Sequence, residues 1–151
     1  MVETALDEKD LEIIRALMKD AKKSFTELSR ELGVPRTTLQ ERFRRITSRG
    51  VIKRIAAIPD YSRLGLPATA FLLVSFSPVM DISQRDLAAM IAEMEHVYEV
   101  HLISGQWDML IKVRAPSTEE VGRLVIDKIR SIKNVAKTET CFVFHTAKEV
   151  P

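Results

Sequence analysis

The feature that most restricts the fold of this chain lies in twelve residues, Ser24 to Pro35. Ser24-Phe-Thr-Glu27 has the spacing of a capping box, in which the Ser hydroxyl takes the N–H three residues on and the Glu reaches back. Phe25, Leu28 and Leu32 then share one helical face, and Gly33 suits the left-handed position that ends a helix. Pro35 follows at once, and its missing N–H suits the first turn of a new helix. A short helix, a stop and an immediate restart predict two helices joined by a tight turn.

The flanking sequence supplies the rest of a small helical domain. Asp7 starts a first helix, with Asp10 as its capping-box partner and Leu11, Ile14, Leu17 and Met18 as its apolar stripe. It ends near Asp20–Lys23. The helix that begins at Pro35 runs to about Arg49, with Gly50 stopping it, and Leu39, Phe43 and Ile46 form its buried stripe. Its other faces carry Arg36, Thr37, Thr38, Gln40, Glu41, Arg44 and Arg45.

Charge singles out this last helix. The chain as a whole has a net charge of only +2, yet residues 36–54 hold seven basic residues against the single acid Glu41. Concentrated positive charge on one short segment suits a polyanion. Arg pairs with guanine edges or phosphates, Gln with adenine, and Thr with phosphate or the thymine methyl. The segment therefore predicts a helix-turn-helix whose partner is double-stranded DNA. Val51–Ile58 reads as a strand leaving the third helix, which gives the winged type, with Lys53 and Arg54 beside the phosphates.

Pro59, Asp60, Gly65 and Pro67 mark a bend, so the expected division is a DNA-binding domain at 1–58, a linker at 59–66 and a second domain at 67–151. Thr69–Phe76 is an apolar strand. Ser83–Asp86 caps a helix with the stripe Leu87, Met90, Ile91 and Met94. Val97–Ile103 and Met109–Val113 form a hairpin around Gly105-Gln-Trp-Asp108. Ser117–Glu120 is a further capping box before another helix, with Val121, Leu124, Val125 and Ile129 following, and Val135–His145 is the last strand. The order βαββαβ predicts an α+β fold of ferredoxin-like type. Both faces of its first strand are apolar, Phe71 and Leu73 on one and Leu72, Val74 and Phe76 on the other. Helices cover one face of such a sheet, so a partner subunit is expected on the second.

Other function classes find little support. The lone Cys141 excludes an internal disulfide and reads as a small buried hydrophobe. His96, His101 and His145 lack metal-ligand spacing, and no phosphate loop or nucleophile elbow is present, so no catalytic residue, metal or cofactor is assigned. Met1–Asp10 carries acids rather than a targeting pattern, and no apolar run spans a bilayer, which points to the cytoplasm. Order is expected throughout except at Met1–Leu6 and the last few residues.

The order and spacing of Leu6–Asp10, Glu27–Gly33, Thr38–Ile46, Gly50–Ile52, Tyr98–His101, Ser104–Met109 and Thr138–Thr140 resemble the leucine-responsive/asparagine-responsive (Lrp/AsnC, feast/famine) family of transcription regulators over nearly the whole length. The resemblance implies a regulator that is not an enzyme. It also implies a linker strand that helps pair the DNA-binding halves, dimers with sheets face to face, and octamers built from them. An amino-acid effector would bind at the contact between dimers, at positions matching Gly105, Asp108, Thr138 and Thr140, with Trp107 bulky for that place. Two alternatives share parts of the pattern. One is a siroheme-type tetrapyrrole decarboxylase, a relative of this fold that uses basic residues and histidines. The other is a non-specific architectural DNA-binding protein.

Overall fold

A computed structural model describes residues 6–78 and 82–149 of the chain. Residues 1–5 and 150–151, at the ends expected to lack order, lie outside the described residues. The chain divides into two compact units between Ala57 and Ile58.

The first unit contains α1 (Glu8–Lys19), α2 (Phe25–Leu32) and α3 (Arg36–Ser48). Local chemistry sets each boundary. Asp7 and Asp10 form the expected capping box at α1, and Ser24 and Glu27 form the one at α2. Gly33 ends α2 with φ 62°, a left-handed value that costs other residues about 1–2 kcal/mol. Ile13, Ala16, Leu28, Val34, Leu39 and Ile46 close a core between the helices. Phe25 and Phe43 add an edge-to-face contact at 5.5 Å.

Two expectations fail in this unit. The buried face of α1 is Asp10, Ile13 and Ala16, with Ile14 and Leu17 half-buried, while Leu11 and Met18 are exposed. The helix is rotated from the expected stripe because two arginines of α3 make the Asp10 position buriable. Residues 51–58 form no strand and pair with none among the described residues, and Ile55 and Ile58 are exposed.

The second unit is an antiparallel sheet in the order β2-β3-β1-β4, built from β1 (Ala68–Phe76), β2 (Val97–Leu102), β3 (Met109–Ala115) and β4 (Val135–Phe142). Two helices cover one face: α4 (Gln84–Ala92), and α5 (Thr118–Arg123), which continues to Ile129 in wider turns. Arg130 N–H donates to the carbonyl of Val125, five residues back, at 2.9 Å. Leu72, Val74, Met109, Ile111 and Val113 meet Leu87, Ile91, Val121, Leu124 and Ile129 in the core. Met90, expected in the α4 stripe, is exposed instead.

The bend at 59–66 is packed, not extended. Tyr61 meets Tyr98 edge-to-face at 5.0 Å, and the Arg114 guanidinium lies over the Tyr61 ring at 3.9 Å. The outer face of the sheet carries half-buried Phe71, Leu73 and Leu110. Cys141 sits there too, opposite Phe71, and is exposed, which corrects the expected burial. Strand alternation turns Thr138 and Thr140 toward the helices and Cys141 away from them. Val143 and His145–Glu149 also line a cavity of about 730 Å³ on this outer face. Within it Glu149 pairs with Lys112 and, at 2.6 Å, with Arg114.

Candidate nucleic-acid interface

The site rests on what α3 buries and what it leaves outward. Leu39 and Ile46 are fully buried, which fixes the rotation of the helix. At 3.6 residues per turn, Thr37, Glu41, Arg44 and Ser48 then point directly away from the core, and all four are exposed. Arg36 is exposed and Gln40 half-buried on one flank; Thr38, Arg42 and Arg45 lie on the other. Lys53 and Arg54 are exposed beyond the helix.

The basic residues are not equivalent. Arg42 donates to Asp7 at 2.5 Å and to Asp10 at 2.8 Å, and Arg45 donates to both Asp10 oxygens at 2.9 and 2.7 Å. Asp10 is fully buried. Burial alone pushes its carboxyl pKa up, but hydrogen bonds from Arg42, the Asp7 backbone and Arg45 outweigh this and hold it below the ordinary value. The Arg42 bond likewise lowers Asp7, and the two acids raise Arg42. Two cations counted toward the polyanion surface are thus engaged in tying α3 to α1. Arg45, expected to read DNA, is one of them, with its side chain 43% exposed. Sequence reasoning missed this clamp; its signal was the pairing of an acid on α1 with arginines one turn apart on α3.

The four residues matched to an effector site fall in two places. Thr138 and Thr140 line a groove of about 420 Å³ with Val125, Ile126, Arg130 and Phe142. Gly105, at φ 124°, and Asp108 belong to the β2–β3 turn and do not line it. The Asp108 carboxylate accepts from Phe76 N–H at 2.8 Å and from Gln84 Nε2 at 3.0 Å, where the β1–β3 ladder ends. Trp107 is half-buried beneath the Lys137 ammonium, 4.9 Å from its ring centre. Of the histidines, His101 pairs with Glu99 at 3.2 Å, while His145 lines the outer-face cavity.

Known proteins match both units. Residues 6–46 match the AsnC-type helix-turn-helix domain, and residues 69–151 match the Lrp/AsnC ligand binding domain. The chain belongs to the Lrp/AsnC family of transcriptional regulators. An uncharacterized HTH-type transcriptional regulator of Pyrococcus abyssi is 44% identical over 144 residues, 95% of this chain and 96% of the relative. The HTH-type transcriptional regulator FL11 of Pyrococcus horikoshii is 36% identical, over 95% of this chain and 93% of its own. Among solved structures, a feast or famine regulatory protein from M. tuberculosis complexed with L-methionine is 26% identical, with a TM-score of 0.84 over 97% of this chain and 100% of that one. The regulator's relatives carry transcription-factor names, which does not favour the decarboxylase reading. No helix among the described residues is long and apolar enough to cross a membrane.

Proposed function

We propose that the regulator binds specific double-stranded DNA sites in the cytoplasm as a homodimer that assembles further, toward an octamer, and that an amino acid alters its assembly or DNA affinity. It performs no catalysis. The observation that carries the DNA reading is the outward face of α3, where Thr37, Glu41 and Arg44 stand exposed opposite a fully buried Leu39 and Ile46. Arg36, Thr38 and Gln40 flank that face, and Lys53 and Arg54 meet adjoining phosphates. Arg45 contributes charge while remaining held by Asp10.

Association follows from the outer sheet face, where Phe71, Leu73 and Leu110 lie together. For the effector, the groove beside Thr138 and Thr140 offers hydroxyls, the Arg130 cation and an apolar wall of Ile126 and Phe142, which suit an amino acid. The methionine held by the mycobacterial structure supports the ligand class. Gly105 and Asp108 complete the site from the turn of a neighbouring copy.

Fluorescence anisotropy with a selected duplex tests the DNA reading. Arg44→Ala is expected to weaken binding by about 1–3 kcal/mol if it reads a base, or to flatten the salt dependence if it meets a phosphate. Unchanged affinity and salt slope would remove α3 as the contact.

A further inference from the structure

One side chain on the DNA-facing surface has the wrong charge for that surface. Glu41 points straight outward between Thr37 and Arg44. The described acids of this unit are Asp7, Glu8, Asp10, Glu12, Asp20, Glu27, Glu31 and Glu41. All but two accept a hydrogen bond or ion pair: Asp7 and Asp10 from Arg42, Glu12 from Lys9, Asp20 from the Lys22 backbone, Glu27 from Ser24 and Glu31 from Lys23. Glu8 lies in the first turn of α1, where a negative charge suits the helix dipole. Glu41 alone has neither use.

Its isolation has a cause. Arg45 stands four residues after Glu41, the spacing and order at which a helical ion pair is favourable. Asp10 takes that guanidinium instead, through both carboxylate oxygens. The clamp between α1 and α3 thus withholds Arg45, and Arg44, three residues on, makes no ion pair among the described residues, so a free carboxylate stands in the middle of the recognition face.

A carboxylate facing a duplex is repelled by the phosphates, so it weakens binding wherever it meets no donor. In the major groove the donors are the exocyclic amines of cytosine and adenine. A carboxylate only accepts hydrogen bonds. Adenine sets its N7 acceptor beside N6 and so repels the second carboxylate oxygen, whereas cytosine presents N4–H₂ with no acceptor on its own edge. Resting on the reading of α3 as the DNA-contacting helix, we infer that Glu41 is a specificity-determining residue that accepts a hydrogen bond from N4 of a cytosine and rejects other bases at that position.

The test is selection of binding sites from random duplexes by the full chain, compared among the parent, Glu41→Ala, Glu41→Gln and Arg44→Ala. The parent is expected to require a C·G pair at one position of each half-site, with about 5- to 150-fold discrimination. Glu41→Ala should accept any pair there and bind unrelated DNA more tightly. Glu41→Gln should move the preference to A·T, because glutamine meets adenine N6 and N7 together. Thermal melts of the variants should match the parent, since Glu41 is exposed and unpaired. If Arg44→Ala weakens binding while both Glu41 variants keep the parental motif, the inference about Glu41 is overturned and the DNA reading stands. If Arg44→Ala changes nothing, or the parent selects no motif, the DNA reading falls and this inference with it.

Discussion

Replacing Asp10 with Asn should loosen the first unit and, at the same time, strengthen its attachment to unrelated DNA. Three guanidinium hydrogen bonds of 2.7–2.9 Å end on this carboxylate, one from Arg42 and two from Arg45. Bonds to charged groups contribute about 1.5–3 kcal/mol each. That figure is reduced here, because the partner side chains are 23% and 43% exposed and gain water when released, and because a fully buried carboxylate carries a desolvation cost. Asn keeps the shape but turns an NH₂ group toward one arginine. The net loss should be about 2–3 kcal/mol. The only tryptophan, Trp107, lies in the second unit, so its fluorescence follows that unit while far-ultraviolet circular dichroism also follows the helices of the first. Urea titration of Asp10→Asn should shift the dichroism transition and leave the fluorescence transition in place. The freed arginines should also steepen the salt dependence of non-specific binding by about 0.9 for each that reaches a phosphate. The pH dependence has a definite sign. The folded-state pKa of Asp10 is depressed, so its stabilisation is complete above the ordinary carboxylate range of about pH 4 and is lost as pH falls through the folded value. The variant should lose the Asp10 share of the acid limb and keep the shares of Asp7 and Glu27, whose carboxyls are also held below the ordinary value. A dichroism midpoint unchanged by the substitution would refute the clamp.

Gly33→Ala places a Cβ on a left-handed residue and should destabilise the first unit by about 1–2 kcal/mol, read by the same dichroism titration. Asp108→Ala leaves the Phe76 N–H and the Gln84 amide without their acceptor and should cost the second unit about 1–3 kcal/mol, read by Trp107 fluorescence. A thermal-shift screen of the twenty amino acids should find one that stabilises the parent, and Thr140→Val should abolish that shift; the same shift in the variant would remove the groove from the effector site. Leu73→Lys sets a charge on the outer sheet face and should reduce the mass found by light scattering, whereas a parent that is itself monomeric at micromolar concentration would refute face-to-face association.

The punctuation of the fold was legible because it is local. Capping boxes at Asp7, Ser24 and Ser83 and the stop at Gly33 depend on residues within one turn, and each formed as the spacing required. What depends on distant partners was not legible. An aspartate at the tenth position reads as a solvated cap until Arg42 and Arg45 are brought against it, and that contact turns the buried face of α1 away from Leu11 and Met18. Residues 51–58 have the composition of a strand, but composition cannot supply a neighbour. On β4, apolarity alone would bury Cys141, yet its alternation with Thr138 and Thr140 turns it outward. Those threonines entered the candidate site only through a family resemblance; the groove beside them is also lined by Val125, Ile126 and Arg130, at the wide turns of the helix running to Ile129, which no residue spacing announces.

Counting cations from the sequence overstates the charge that α3 and its extension offer to DNA. Of the seven basic residues in 36–54, Arg42 and Arg45 are paired with Asp7 and Asp10, while Arg36, Arg44, Arg49, Lys53 and Arg54 have no ion pair among the described residues. Each phosphate neutralised contributes about 0.9 to the slope of log affinity against log salt. Five free cations therefore limit this segment to a slope of about −4.5 per copy, or about −9 when two copies engage one duplex. Releasing Arg42 and Arg45 as well would raise the limit to about −6.3 per copy, at the expense of the bonds that hold α3 against α1. Those bonds are short and charge-assisted, and a phosphate offers the arginines no more than Asp10 already gives them, so exchange has little driving force. Anisotropy titrations of the parent across a range of potassium chloride concentrations should stay within the smaller limit. A dimer with a slope well beyond −9 that falls back to it in an Arg42→Gln/Arg45→Gln double variant would show that the clamp opens on DNA.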